Sequence, residues 1–194
     1  LTWIIQTTRV IHVNITPRKE IRTMSTRSHI AVLNGAEGIK AIYCHSDGYP
    51  AHNGHILDTY YTPGNAVPTS QAPAARVACA RKITDLIDLG DLSLLGEHVH
   101  PDPDKPHGFD YRERQPGVTV AYGRDRGEQN QGAITYNDLD HWHRRMWPGI
   151  DYAYLFVGGA WLCAEVTDPN KDTLIFHHVR SMINPRHVER IFGT

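Results

Sequence analysis

Alternating apolar and polar residues along the chain predict two β-hairpins. Residues 39–44 alternate apolar and mixed side chains, as a half-buried strand does, and residues 29–33 supply a partner strand across a turn with two glycines. Residues 152–157 and 160–166 flank a Gly-Gly step, which is the clearest hairpin signal in the sequence. The two hairpins predict an antiparallel sheet.

Apolar residues that recur every three or four positions predict helices between and after these strands. The first helix follows Pro50, whose missing N–H costs nothing in a first turn. The second ends at Gly90, which can adopt the left-handed conformation that terminates helices. The predicted helices cover about residues 51–61, 73–89 and 137–146 and a short stretch that opens at Asn184-Pro185.

The stretches between these elements have weaker patterns. Residues 117–122 predict a third strand, and residues 91–96 predict a tight apolar turn. Residues 62–72 and 97–116 are polar, rich in proline, and predict surface loops. Residues 174–179 are ambiguous between strand and helix.

The whole pattern predicts an α+β fold. We expect an antiparallel sheet of about four or more strands with helices packed mainly on one face. Residues 24–194 are expected to form a single domain, which suits a chain of 194 residues.

The first 23 residues differ from the rest and predict a translated leader or a disordered extension outside the fold. Met24 begins a stretch that reads like a natural start. Lys19-Glu20 can be encoded by AAG GAG, a ribosome-binding sequence, three codons before Met24. The intact mass of the natively expressed protein would test this interpretation.

Composition and charge exclude several classes of function. The net charge is −1 with histidine neutral, so nothing draws the protein towards nucleic acid or a membrane surface. An odd cysteine count of three without a Cys-x-x-Cys pair argues against a disulfide framework and a cysteine-rich zinc site. The sequence shows neither a membrane span nor a secretion signal, which favours a cytoplasmic protein.

Two predicted strands end in polar turns, and these turns hold the candidate site. If the two strands were parallel neighbours in the sheet, the turns would meet at one edge. Acid–base candidates are His45, Asp47, Asp125 and Glu128, and ligand-binding candidates are Tyr49, Arg124 and Arg126. Arginine suits phosphate or carboxylate because its planar fork binds two oxygens at once. The alternative is an ion-pair network that neutralises itself.

Metal binding and cysteine catalysis are less favoured. The histidines occur in close pairs, but no pair has the His-Glu-x-x-His form and no spacing supplies a third ligand. The pairs are His52 and His55, His98 and His100, His141 and His143, and His177 and His178. Cys44 and Cys163 lie among apolar residues and predict buried, inert thiols. No metal or other cofactor is therefore expected.

Five blocks of residues occur in the same order in small proteins encoded by tailed bacteriophages and prophages. They are residues 24–28, 42–50, 89–93 and 122–128 and the hairpin around Trp161. The sequence resembles that family over most of residues 24–166. The family has no established function, so the resemblance assigns no role to any residue; it implies only a location in the host cytoplasm.

These observations predict an accessory protein that acts by binding a host protein or a small anionic ligand. The alternative is a hydrolase of a phosphate-containing substrate, with His45 as general base and Arg124 stabilising charge. A DNA-binding module is disfavoured by the near-neutral charge.

Overall fold

Eight strands and six α-helices form the described part of the protein. The computed structural model describes residues 25–33, 35–62, 72–100, 117–146, 148–166 and 174–193. The strands are β1 (Ser28–Leu33), β2 (Ile39–Cys44), β3 (Leu92–Leu94), β4 (Val120–Ala121), β5 (Ile134–Tyr136), β6 (Tyr152–Val157), β7 (Ala160–Glu165) and β8 (His177–His178). The helices are α1 (His55–Tyr60), α2 (Ala72–Asp88), α3 (Tyr122–Arg126), α4 (Leu139–Arg145), α5 (Val179–Met182) and α6 (Pro185–Phe192).

Several predictions fall on residues outside this description. The predicted leader, residues 1–23, is among them, and so are residues 63–71 and 101–116, which make up most of the two predicted loops.

Both predicted hairpins are confirmed. Strand β1 pairs with β2 in antiparallel register from Ser28 opposite Cys44 to Leu33 opposite Ile39. Strands β6 and β7 pair in the same way around the Gly-Gly turn. The local signals of alternation and turn glycines were sufficient here because the partner strands are adjacent in sequence.

The α+β fold is confirmed, and the sheet is mostly antiparallel as predicted, but two of its strand pairs are parallel, which was not predicted. Its order is β4-β3-β2-β1-β6-β7-β8, and β5 pairs with the beginning of β2. Strand β1 is parallel to β6, and β2 is parallel to β3. Parallel partners are joined by long connections, so no local turn signal announces them.

The stretch predicted as a tight turn contains strand β3, which is a second correction. The Leu92 carbonyl accepts from the His45 N–H at 2.9 Å, and the Ser93 carbonyl accepts from the Ser46 N–H at 3.1 Å. On its other side β3 pairs with β4. A strand of three residues is shorter than the runs that periodicity detects, and contacts with distant segments stabilise it.

The predicted helices are present, with two additions. A π-helical turn, Pro50–Gly54, leads into α1. Gly90 follows α2 with a φ of +74°, as predicted for a left-handed stop. One addition is α5, which begins at the end of the ambiguous stretch 174–179. The other is α3, a short helix where a polar turn was expected. It turns the chain back after β4, and this reversal decides where the following arginines lie.

Each face of the sheet carries its own hydrophobic core. The larger core packs α1, α2 and α5 against one face, through side chains such as Leu57, Leu86 and Val179. The smaller core packs Trp142 of α4 against Ala31, Ile39 and other residues of the opposite face. Helix α4 covers only part of that second face. In the residues described, no helix is both long and apolar enough to span a membrane.

Candidate functional site

The two polar turns do not leave the sheet from one edge. Strand β3 lies between β2 and β4; it is parallel to β2 and antiparallel to β4. Strands β2 and β4 therefore run in opposite directions, and their turns leave opposite ends of β3. The shared edge was predicted on the condition that the two strands are parallel neighbours. The sheet does not meet that condition.

Arg124 and Asp125 hold α3 against the loops around it. Arg124 donates to the Val99 and Thr119 carbonyls, each at 2.7 Å, and forms an ion pair with Asp125 at 2.6 Å. The Asp125 carboxylate is almost fully buried and accepts from the Ala121 N–H at 2.7 Å. These bonds explain how α3 forms. They correspond to the alternative interpretation of the sequence, in which the charges of Arg124 and Asp125 neutralise each other in an ion pair.

The turn after β2 is shaped by two residues with separate tasks. Asp47, not the glycine, takes the left-handed conformation, with a φ of +56°, which aspartate tolerates better than most residues. Gly48 is required for space, because a Cβ there would lie 2.8 Å from the Arg27 carbonyl carbon. The ring of Tyr49 lies 6.1 Å from that of His52 on the π-helical turn. The predicted ligand-binding roles of Tyr49 and Arg124 stay predictions.

A different set of side chains comes together on the face of the sheet that α4 leaves open. We call this set the tyrosine–arginine cluster. It consists of Arg27, Tyr43, His45, Ser93, Tyr122 and Arg126. The register brings these residues together, since His45 lies beside Ser93 of β3 and one position beyond the pair of Ser28 with Cys44.

Tyr43 and His45 form a hydrogen-bonded pair. They lie two residues apart on β2 and so point to the same side, with the Tyr43 hydroxyl 2.8 Å from His45 Nδ1. Burial raises the pKa of Tyr43, while a hydrogen bond from the Arg27 guanidinium opposes that rise. The Tyr43 hydroxyl can donate to His45 Nδ1, and an imidazole that accepts at Nδ1 carries its proton on Nε2.

His45 Nε2 faces away from this pair. Among the described residues it has no hydrogen-bond partner, and the side chain is half-buried. A protonated Nε2 in that position can donate to an incoming oxygen atom.

Arg126 lies at the other end of the cluster. Its Nη2 donates to the Ser93 hydroxyl at 2.7 Å, and its guanidinium carbon lies 4.7 Å from the centre of the Tyr122 ring. Glu128 is 3.9 Å from Arg126, a distance at which the pairing is loose. Burial raises the pKa of Tyr122, so this phenol keeps its proton and can donate.

Carboxylates close to the cluster are engaged in backbone contacts. Asp91 accepts from the Tyr43 N–H at 2.8 Å, and burial raises the pKa of Asp91. Asp151 accepts from the Arg27 N–H at 2.8 Å. Of the two arginines, Arg27 is exposed, whereas the Arg126 side chain is only 23% exposed and its Nε is buried.

Under α4 the same face is closed. Trp142 Nε1 donates to His29 Nδ1 at 3.2 Å, and the two rings stack with centroids 6.4 Å apart. Burial lowers the pKa of His29 to about 4, so this imidazole is neutral at pH 7. The Tyr43 ring lies edge-on to His29 and marks where the covered part of the face ends.

The cysteine prediction is confirmed for Cys44 and Cys163. Both thiols are buried, and burial raises their pKa values to about 11 and about 12. Asn53 Nδ2 lies 3.4 Å from the Cys44 sulfur. A thiol in this environment stays protonated at pH 7 and is a poor nucleophile.

The paired histidines have other surroundings than a metal site would provide. His52 and His55 both pack against Phe192 of α6, at centroid distances of 5.6 and 5.0 Å. His143, a residue of α4, is buried rather than exposed. Within the described ranges, no three histidine, cysteine or acidic side chains are grouped as metal ligands would be.

Sequence reasoning identified His45 and Arg126 but missed the other members of the cluster. Tyr43 could have been found, because strand alternation places it on the same side as His45. Arg27 and Ser93 gave no signal, since their positions depend on the pairing of β2 with β1 and β3.

Comparison of the chain with protein-family models, with curated proteins and with solved structures finds no match in any of the three. The resemblance to phage and prophage proteins therefore stays a prediction.

Proposed function

We propose that this protein binds a small anionic ligand, of the kind that carries a phosphate group, at the tyrosine–arginine cluster. The observation that supports the proposal is the presence of two arginines, Arg27 and Arg126, on one open sheet face with the Tyr43–His45 pair between them. Charged donors that converge on a solvent-accessible face are suited to oxyanions.

The spacing of the strands suits one anion. Arg27 lies beside His45, and His45 beside Ser93, which bonds Arg126. Two steps between strands amount to about 10 Å. Two arginine side chains can approach a common oxyanion across that width, with Arg27 in an exposed position and Arg126 contributing its positive charge.

Neutral donors complete the set. They are His45 Nε2, in the row of Arg27 and Ser93, and the Tyr122 hydroxyl, one residue back, level with Asp91. Tyr122 bonds the Ser93 hydroxyl and lies under Arg126, which holds its ring in place. Donors whose positions are already held lose little freedom on binding, which favours affinity.

Arg126→Gln tests the proposal. The variant removes one charge and one forked donor, so we expect the affinity for inorganic phosphate to fall by about tenfold or more. Isothermal titration calorimetry of the wild type and the variant measures this change.

Arg144→Gln is the matched control. Arg144 is exposed on α4 and pairs with Asp140 four residues earlier, so the substitution changes net charge by the same amount without altering the cluster. Equal phosphate binding by wild type and Arg126→Gln, or no binding by the wild type, would overturn the proposal. Release of phosphate from p-nitrophenyl phosphate by the wild type would instead support the hydrolase alternative, with His45 as the base.

A further inference from the structure

We propose that β5 is an interface at which two copies of the chain pair edge to edge. This inference is independent of the anion site, because it concerns an outer edge of the sheet and not its open face. Strand β5 pairs with β2 on one side, and in the part of the chain that the structure describes no strand pairs with its other side. The proposed contact adds the β5 of a second copy, in antiparallel direction, to that edge.

The hydrogen bonds of β2 show which of its backbone groups face β5. Strand β1 occupies one edge of β2 along its whole length, so β3 and β5 share the other edge. The Tyr43 N–H donates to the Asp91 carboxylate and the His45 N–H donates to β3, so both point to this shared edge. Backbone groups alternate in direction along a strand. Ile39 and Ala41 therefore point to the same edge.

The pairing then assigns the outward groups of β5. Ile134 and Tyr136 lie opposite the two β2 residues that point towards β5, so they exchange hydrogen bonds with β2. Thr135 lies between them, and its N–H and C=O point away from β2. Thr135 is exposed, and these two groups have no hydrogen-bond partner in the described ranges.

This edge is complementary to itself. When two antiparallel strands place the same residue opposite itself, the two copies can exchange both hydrogen bonds of the pair about a two-fold axis. Thr135 would lie on that axis. Ile134, which is 55% exposed, would lie opposite Tyr136 of the second copy and lose contact with water.

The charge of the edge also favours a second copy as the partner. Residues 129–137 contain no charged side chain and no proline, the residues that commonly protect an exposed sheet edge from pairing. Two identical edges can therefore approach each other without repulsion. Because a strand of three residues buries little area, we expect weak association, with a dissociation constant on the order of 100 µM.

Sedimentation equilibrium of the full chain tests the proposal. Between about 10 µM and about 1 mM, the average mass of the wild type should rise from near that of a monomer to about 1.8 times that mass. Thr135→Glu should stay monomeric over this range, because its carboxylate would face the same carboxylate across the axis. Thr135→Lys should stay monomeric for the same reason.

A mixture of the two variants makes the test specific to this edge. Equal amounts of Thr135→Glu and Thr135→Lys should associate, because opposite charges then meet at the axis. Thr84→Glu is the matched control, since Thr84 is an exposed threonine of α2, and this variant should associate like the wild type. Circular dichroism checks that each variant is folded.

Three outcomes would overturn the proposal. They are a wild type that stays monomeric at about 1 mM, association of Thr135→Glu equal to that of the wild type, and a mixture of the two charged variants that does not associate. The anion site is unaffected by all three, because none of the variants changes the tyrosine–arginine cluster.

Discussion

One face of the sheet has a covered half and an open half, and their histidines differ accordingly. His29 and Tyr43 are directly paired across β1 and β2, and His45, which directly follows β2, is the next residue on that side. His29 lies under Trp142, and burial lowers its pKa to about 4. His45 lies beyond the cover and is half-buried, and among the described residues only its Nδ1 has a side-chain hydrogen bond.

The cover over this face, in which α4 and its Trp142 take part, therefore decides what the polar groups beneath it can do. Under α4, a buried imidazole accepts a hydrogen bond and serves packing. One residue pair further along, an imidazole keeps a nitrogen available to solvent or ligand. Residue type alone does not separate these roles, because histidine suits both.

Trp142→Ala should have the largest effect, since it removes the cover. Trp142 is fully buried and its Nε1–H is the partner of His29 Nδ1. We expect a loss of about 3–5 kcal/mol in the free energy of unfolding, from the cavity and the lost hydrogen bond. Urea denaturation followed by circular dichroism measures it.

A decrease of less than about 1 kcal/mol in the free energy of unfolding of Trp142→Ala, which is typical of an ordinary point mutation, would contradict the comparison of the two halves. Leu139→Ala on the same helix is the control, because its side chain is 46% exposed and should contribute little.

His29 should make stability depend on acid pH. Its folded pKa of about 4 lies below the ordinary value of 6.5, so the unfolded chain binds the proton more readily. The stabilising effect of a neutral His29 is complete above about pH 6.5 and is lost as pH falls towards 4. The expected loss by pH 4 is about 3 kcal/mol.

His29→Gln checks this assignment, because its amide oxygen can still accept from Trp142 but does not titrate. The difference in unfolding free energy between the wild type and this variant should shift in favour of the variant as pH falls from 6.5 to 4. A difference that stays constant across this range would show that His29 is not held neutral by burial.

His45→Gln should have the smallest effect on stability. The imidazole is half-buried and its one hydrogen bond, to Tyr43, lies at the margin of the face. We expect a change of about 0.5 kcal/mol or less at pH 7. A loss comparable to that of Trp142→Ala would mean that His45 also serves packing and that the two halves do not differ.

Local signals predicted a large share of the fold. The hairpins formed where alternation and turn glycines indicated, and Asn184 caps α6 by accepting from the Arg186 N–H at 3.1 Å. Such features depend on residues close in sequence, which a pattern can detect. Strands β3 and β5 have three residues each and escaped detection for that reason.

The candidate site was only partly predictable. His45 and Arg126 were identified from the polar turns. The turns, however, were expected to meet because their strands would be parallel neighbours, and β2 and β4 are not. Arg126 reaches Ser93 because α3 reverses the chain after β4. That reversal depends on the bonds of Arg124 and Asp125 to segments around Val99 and Thr119, which no local pattern reveals.

The sequence by itself determined the hairpins, the helix ends and the inert character of the buried cysteines, because each follows from neighbouring residues or from apolar surroundings along the chain. Tertiary structure alone decided the parallel pairing of β1 with β6 and of β2 with β3, and the extent of the cover that α4 provides. Those features depend on which distant segments satisfy a strand's free N–H and C=O groups. That competition is resolved by the packing of the whole domain.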